Sequence, residues 1–256
     1  MSHETIDLEI DKGVARLTLG RPSVMNALNA RMRAEIAEAV TGLPEDARVL
    51  VLTGQGRAFC SGQDLGDGTG LAGPELTRVL EAEYLPMIRA LRDTPRPVIT
   101  ALNGAAVGAG ASLALAADVV IAAESAYLSC AFARIGLVPD AGASWLLPRL
   151  AGQARALGAA LFAEKIPARQ ALDWGLIWEV APDADFEALW QARAAQLAAG
   201  PTEAYRQIRQ LMRGSGDLEA QMVAEARAQG ICGDTRDFRE GVQAFLEKRP
   251  ACFEGR

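Results

Sequence analysis

Histidine is almost missing from this chain. His3 is the only one among 256 residues, which argues against a Ser–His nucleophilic pair. Cysteine is also sparse. Cys60, Cys130, Cys232 and Cys252 are scattered, with no C-x-x-C pair and no histidine beside them, so no zinc or redox signature forms and free thiols in a reducing cytoplasm are expected. Long basic runs are lacking too: 26 Lys+Arg face 32 Asp+Glu, a net charge of −6 with a pI near 5.0. Such a surface is a poor partner for nucleic acid or an anionic membrane. The longest apolar stretch, 104–117, is rich in small residues and closed by Asp118, too short to span a bilayer. The N-terminus MSHETIDLEID has neither the basic segment nor the apolar core of a signal peptide. A cytoplasmic protein without a membrane anchor is the expectation.

What is present is an ordinary globular composition, 50% hydrophobic and 23% charged, on a chain long enough for one large core. Ile6, Leu8 and Ile10 alternate with polar residues, and Asp11-Lys12-Gly13 turns the chain into Val14–Leu19, which reads as a β-hairpin. A loop punctuated by Pro22 and Asn26 precedes a helix with Met32, Ile36 and Val40 on one face, ended by Gly42 and Pro44. Val49–Thr53 is a continuous apolar run, the mark of a strand buried on both faces. Ala58–Leu65 gives a second loop, followed by glycines at 66, 68 and 70 that suggest mobility. A helix runs from Pro74 to about Arg92, and Pro95 and Pro97 stop it. Val119–Ala122 and Ala126–Leu128 read as strands, and after Gln153 the pattern is mainly helical, with one further strand at Ile177–Val180. Three helices close the chain, near 202–213, 217–230 and 235–248. Strand and helix alternate through the first part, the pattern of an α/β fold.

The stretch PVITALNGAAVGAGASLALAAD, Pro97–Asp118, is the candidate centre. It reads as strand, turn and helix, with Gly108, Ala109 and Gly110 leaving room for a ligand against the backbone where the first helical amides lack partners. Three familiar glycine motifs fail here. The dinucleotide fingerprint has Leu113 in place of its third glycine, no Gly-Lys-Ser/Thr follows, and the order around Ser112 is G-x-G-x-S rather than G-x-S-x-G. A glycine-rich helix–sheet crossing without chemistry is an equal reading at this point.

Five segments, in order, resemble the crotonase (enoyl-CoA hydratase/isomerase) superfamily: LGRPSVMNALN, LTGQGRAFCSGQDL, RPVITALNGAAVGAGASLALAADVVIA, ARIGLVPDAGASWLLPRLAG and REGVQAFLEKRPACF. The resemblance implies a spiral of ββα turns over 1–195 and a helical oligomerisation region over 196–256, assembled as a homotrimer or a dimer of trimers. It implies an acyl-CoA thioester as substrate, with no other cofactor and no metal. Two backbone amides, falling here on Gln63 and Ala109, would hold the thioester oxygen and stabilise an enolate. CoA contacts would fall on Ser23, Val24 and Met25 and on Ser61, Gly62, Asp64 and Leu65. Asp64 also reads as a brace of its own loop, and Asp118 as a structural turn.

The same resemblance locates a departure. Hydratases of the superfamily use two glutamates to activate water, and at those positions this chain has Ser112 and Phe132. Asp140 stands where a subset carries an acid/base aspartate, although by position alone it could cap the helix bearing Trp145. FARIGLVPDAGASWLLPR followed by ALDWGLIWEV resembles in particular the isomerases of 1,2-epoxyphenylacetyl-CoA in phenylacetate catabolism. Phe132, Leu137, Val138 and Trp145 would line an aromatic acyl pocket or serve as plain core. An isomerase with Asp140 as its one proton carrier is therefore the leading expectation. The alternatives are a generic enoyl-CoA hydratase or Δ3,Δ2-enoyl-CoA isomerase, and a non-catalytic member that binds acyl-CoA or RNA.

Overall fold

A computed structural model describes residues 3–66, 72–214 and 216–256; the glycines at 68 and 70, read above as part of a mobile loop, lie outside them. The chain begins with the expected hairpin, β1 (Ile6–Asp11) and β2 (Val14–Leu19), followed by α1 (Ala30–Thr41), β3 (Val49–Gly54) and β4 (Ala58–Cys60). Asn29 caps α1 by accepting the Met32 N–H at 2.9 Å, which satisfies one of the amides that a helix start leaves unpaired. α2 (Gly73–Val79) and α3 (Leu85–Asp93) come next, then β5 (Val98–Leu102), β6 (Ala105–Val107) and α4 (Ala109–Leu115). β7 (Val119–Ala123) and β8 (Tyr127–Ser129) lead through a 3-10 helix (Ala131–Ile135) to α5 (Ala143–Ala151) and α6 (Gln153–Phe162). β9 (Lys165–Pro167), α7 (Ala168–Asp173), β10 (Glu179–Ala181) and α8 (Phe186–Ala198) precede the closing helices α9 (Thr202–Met212), α10 (Leu218–Gly233) and α11 (Arg236–Glu247).

Strand pairs β3–β4, β5–β6 and β7–β8 are each followed by helix, so successive ββα turns build two sheets. The first strand of each pair joins a sheet ordered β1-β2-β3-β5-β7-β10, and the second joins one ordered β4-β6-β8-β9. From β2 to β10 the larger sheet is parallel; every residue of β5 and all but Thr53 of β3 are buried, as in a strand covered on both faces. This is the α/β spiral that the resemblance implies, with a helical C-terminal part. Among the described residues no helix is long and apolar enough to cross a membrane.

Four local readings need correction. Ala105–Val107, read as part of a turn, is a strand paired with β4 and β8; two alanines carry little strand propensity, and neighbouring strands on both sides supply the order. Lys165–Pro167 likewise pairs with β8, and the strand expected at Ile177–Val180 lies at Glu179–Ala181. The helix expected from Pro74 to Arg92 contains a π-helical segment, Leu80–Tyr84, in which the Leu85 N–H reaches the Leu80 carbonyl. Pro86, at the start of α3, has no N–H to give, and the wider turn inserts one residue into the helix at that point.

Candidate functional site

The first wall of the site is the loop before α1. Met25 and Asn26 adopt left-handed backbone conformations, φ 52° and 56°. Buried Asn26 holds this shape: its Oδ1 accepts the Arg21 N–H, and its Nδ2 donates to the carbonyls of Gln55 and Ala58 at 3.0 and 2.8 Å. The second loop is bonded to the first, because the Ser61 N–H donates to the Met25 carbonyl at 2.9 Å and the Ser61 hydroxyl to that of Val24 at 3.2 Å. Ser23, Val24, Met25 and Ser61 thus come together on one partly exposed rim. The sequence marked Asn26 only as loop punctuation. An asparagine tethered to β4 is visible only once that strand is beside it.

Gly62 and Gly110 bring the end of β4 against the start of α4. Gly62 has φ 97°, and a Cβ there would stand 2.7 Å from the Val107 carbonyl oxygen and 3.5 Å from the Ala109 nitrogen. A Cβ on Gly110 would stand 2.3 Å from the Cys60 oxygen, so only glycine permits the approach. Leu28 brackets the next residue, its N–H donating to the Gly62 carbonyl and its carbonyl accepting from Asp64. In such a parallel bridge the intervening Gln63 amide points away from Leu28. Among the described residues neither the Gln63 nor the Ala109 N–H has a backbone acceptor. Two donors are therefore free at neighbouring backbone positions on separate loops.

Asp64 is turned toward its own loop. Its Oδ2 lies 2.7 Å from Arg21 and its Oδ1 accepts the Gly66 N–H at 3.0 Å, the brace that its position suggested. Leu65 is exposed beside it. Asp118 is equally structural: it accepts the Val98 N–H and pairs with Arg209 at 2.6 Å and with Arg213, fastening α9 to the spiral.

Asp140 is not the helix cap. The N-cap of α5 is Gly142, with no side-chain capping bond, and only the Asp140 backbone carbonyl takes part, accepting the Ala143 N–H at 2.9 Å. That carbonyl also receives the hydroxyl of buried Ser112 at 3.0 Å, which anchors the loop to α4 three residues after Ala109. Among the described residues, Oδ1 of Asp140 is the one buried carboxylate oxygen with no hydrogen-bond partner. Burial disfavours the charged form and raises its pKa from the usual 3.8 to about 6. A carboxyl so placed exchanges protons near neutrality.

The apolar residues divide. Phe132 is buried in the 3-10 helix after β8, whose Ser129 carbonyl accepts the Gly108 N–H. The Leu137 N–H folds back onto the Phe132 carbonyl at 3.0 Å, leaving Leu137 and Val138 exposed on the same arm. Trp145 is not brought to this cluster. Its ring lies under Arg149 and Arg92, at 3.9 and 5.1 Å, and lines a cavity with Leu115, Asp118 and Trp178 at the opposite end of α4. The four cysteines are free thiols; burial raises Cys60 to about 12 and Cys130 to about 11, so neither offers a thiolate.

Tyr84 and Arg33 reach the site without having been marked in the sequence. Both are buried, and both bond the Gln63 side chain. The available signal was Pro86, a proline inside an otherwise helical pattern and hence a disturbed helix immediately after Tyr84.

The Gln63 and Ala109 N–H groups, without backbone acceptors, and the half-buried Asp140 carboxyl, with its Oδ1 unpartnered, lie on segments that the Gly62–Ala109 approach and the Ser112–Asp140 hydrogen bond tie to the start of α4. The profile of the enoyl-CoA hydratase/isomerase family matches residues 9–256, and the chain belongs to that family. A protein from Rhodobacter capsulatus named "Probable enoyl-CoA hydratase" is 58% identical, with all of both chains covered. The 1,2-epoxyphenylacetyl-CoA isomerase of Escherichia coli is 45% identical over 99% of each. Among solved structures, an enoyl-CoA hydratase from Bacillus anthracis superposes with a TM-score of 0.94 at 30% identity, covering 99% of this chain and 100% of its own.

Proposed function

We propose that this protein is an acyl-CoA isomerase that converts ring-1,2-epoxyphenylacetyl-CoA to its oxepin form and shifts double bonds between β,γ and α,β positions. The Gln63 and Ala109 amides hold the thioester oxygen. In the epoxide the bond between the two oxygen-bearing ring carbons breaks and its electron pair joins the ring double bonds, which gives the seven-membered oxepin. In either substrate Asp140 takes the proton from the carbon beside the thioester, the electron pair moves into the enolate, and the same carboxyl returns the proton further along the conjugated system. Substrate and product have the same composition, and no water is consumed. The observation that carries this reading is the half-buried Asp140 carboxyl, whose Oδ1 is buried without a partner, on a loop bonded to a Ser112 that stands where the resemblance places a hydratase glutamate. The 45% identity to an isomerase of this kind supports it.

The name of the 58% identical relative favours a second reading, hydration of an enoyl-CoA. The test offers purified protein epoxyphenylacetyl-CoA, a 3-enoyl-CoA and crotonyl-CoA side by side, with products identified by mass and ultraviolet spectrum. Isomerisation of the first two and negligible hydration of the third are expected. Rapid hydration of crotonyl-CoA would replace this reading with the second.

The same reading takes the chain as a homotrimer or a dimer of trimers. Phe238, Val242, Phe245 and Leu246 of α11 are exposed, and a cavity of about 750 Å³ lies among α9, α10 and α11. An apolar face of this kind is stabilised by burial against another surface. Light scattering should return a trimeric or hexameric mass; a monomer at micromolar concentration would end this part of the proposal.

A further inference from the structure

Gln63 is held from three directions. Its Oε1 accepts from Arg33 Nη1 at 3.0 Å and from the Tyr84 hydroxyl, and its Nε2 donates to the Asp64 carbonyl at 3.2 Å. Arginine has only donors, so the amide atom facing it must be the oxygen, and Tyr84 must then be a donor to the same atom. Arg33 also donates to the Leu28 carbonyl at 2.7 Å, the same carbonyl that takes the Asp64 N–H. Side chain and peptide of Gln63 are thus fixed by one connected network.

The network depends on the π-helical turn. Glu83 pairs with Arg33 at 2.6 Å, while the ring of the next residue, Tyr84, lies 4.8 Å from the Arg33 guanidinium carbon. Consecutive side chains on a regular helix diverge by about 100°, and here both converge on one arginine that is 2% exposed. Its charge is matched by Glu83, so the buried cation is paired and bonded, as such a cation must be.

We propose that Tyr84 is a positioning residue, which acts through the Gln63 side chain to hold the Gln63 amide toward the point that the Ala109 amide also faces. The inference rests on the reading of these two amides as donors to a thioester oxygen. Hydrogen bonds weaken steeply as they bend, so small rotations of the Gln63 peptide reduce polarisation of the carbonyl while leaving the CoA rim at Ser23–Met25 and Ser61 in place.

The test compares wild type, Tyr84→Phe, Gln63→Leu and the double variant. It measures the infrared carbonyl band of a bound saturated acyl-CoA labelled at the thioester carbon, together with 3-enoyl-CoA turnover. Tyr84→Phe should return the band part of the way to its frequency in free acyl-CoA. Turnover should fall by roughly 10–100-fold, with KM changed by less than about threefold. Gln63→Leu, which keeps the phenol, should do the same, and the double variant should be no worse than the weaker single, since both cut one chain of contacts. Thermal midpoints show that each variant is folded, and Gln63→Leu alone decides if Tyr84→Phe does not fold. A normal band shift and normal turnover in the folded variants, or additive losses in the double, would overturn the role of Tyr84. If wild type itself shows no band shift, the amide pair is not an oxyanion site and the positioning role fails with it.

Discussion

Asp140→Asn is expected to lower turnover by roughly 10²–10⁴-fold, the usual contribution of general acid–base catalysis, while acyl-CoA binding changes little. Asparagine keeps the size of the side chain and leaves untouched the backbone carbonyl that holds Ala143 and Ser112. Stability should not fall with activity. The native carboxyl keeps its proton up to about pH 6, whereas the unfolded chain releases it near the usual 3.8. Between those values the native state binds more protons, so wild-type stability declines as pH rises through this window and stays lower above it. Asparagine carries no such burden. At pH 8 the variant should be at least as stable as wild type, by an amount on the order of 1–3 kcal/mol. Wild-type turnover should drop as pH falls below about 6, where the base becomes protonated, and this limb should vanish in the variant's residual activity. Near-normal turnover in Asp140→Asn would move the proton carrier elsewhere.

Ala109→Pro is the second large effect. Ala109 is the first residue of α4, a position where proline suits the helix, and the preceding Gly108 has no Cβ to clash with the ring. The substitution removes one N–H and places a ring carbon where that hydrogen stood. Loss of one oxyanion donor costs about 10²–10³-fold in turnover, and the thermal midpoint should stay close to that of wild type. Normal turnover in a folded Ala109→Pro protein would show that this amide does not hold the thioester.

Much of the fold could be read from the sequence because hydrophobic period and fold agree there. β1 and β2 alternate, β3 is a continuous apolar run, and α11 is capped by Thr235, which accepts the Phe238 N–H at 3.0 Å. β6 and β9 could not be read, since three residues carry no period and only their neighbours order them. The site divides in the same way. The glycines at 62, 108 and 110 were visible as glycines, but the Gln63 and Ala109 amides belong to the backbone, and side-chain chemistry does not mark them; the family resemblance located them. By position alone Asp140 reads better as a helix cap and only the resemblance favours an acid/base role; the geometry at Gly142 removes the cap. Tyr84 and Arg33 lie about twenty and thirty residues from Gln63 in sequence, and no local pattern joins them.

The central claim is that one carboxyl moves a proton between carbons without adding water. Its most direct test is a reaction with a 3-enoyl-CoA run to completion in ¹⁸O-enriched water and followed by mass spectrometry. The account predicts a 2-enoyl-CoA of unchanged mass, free of the heavy oxygen, which accumulates as the end product. A 3-hydroxyacyl-CoA carrying ¹⁸O, formed as fast as the double bond moves, would contradict it.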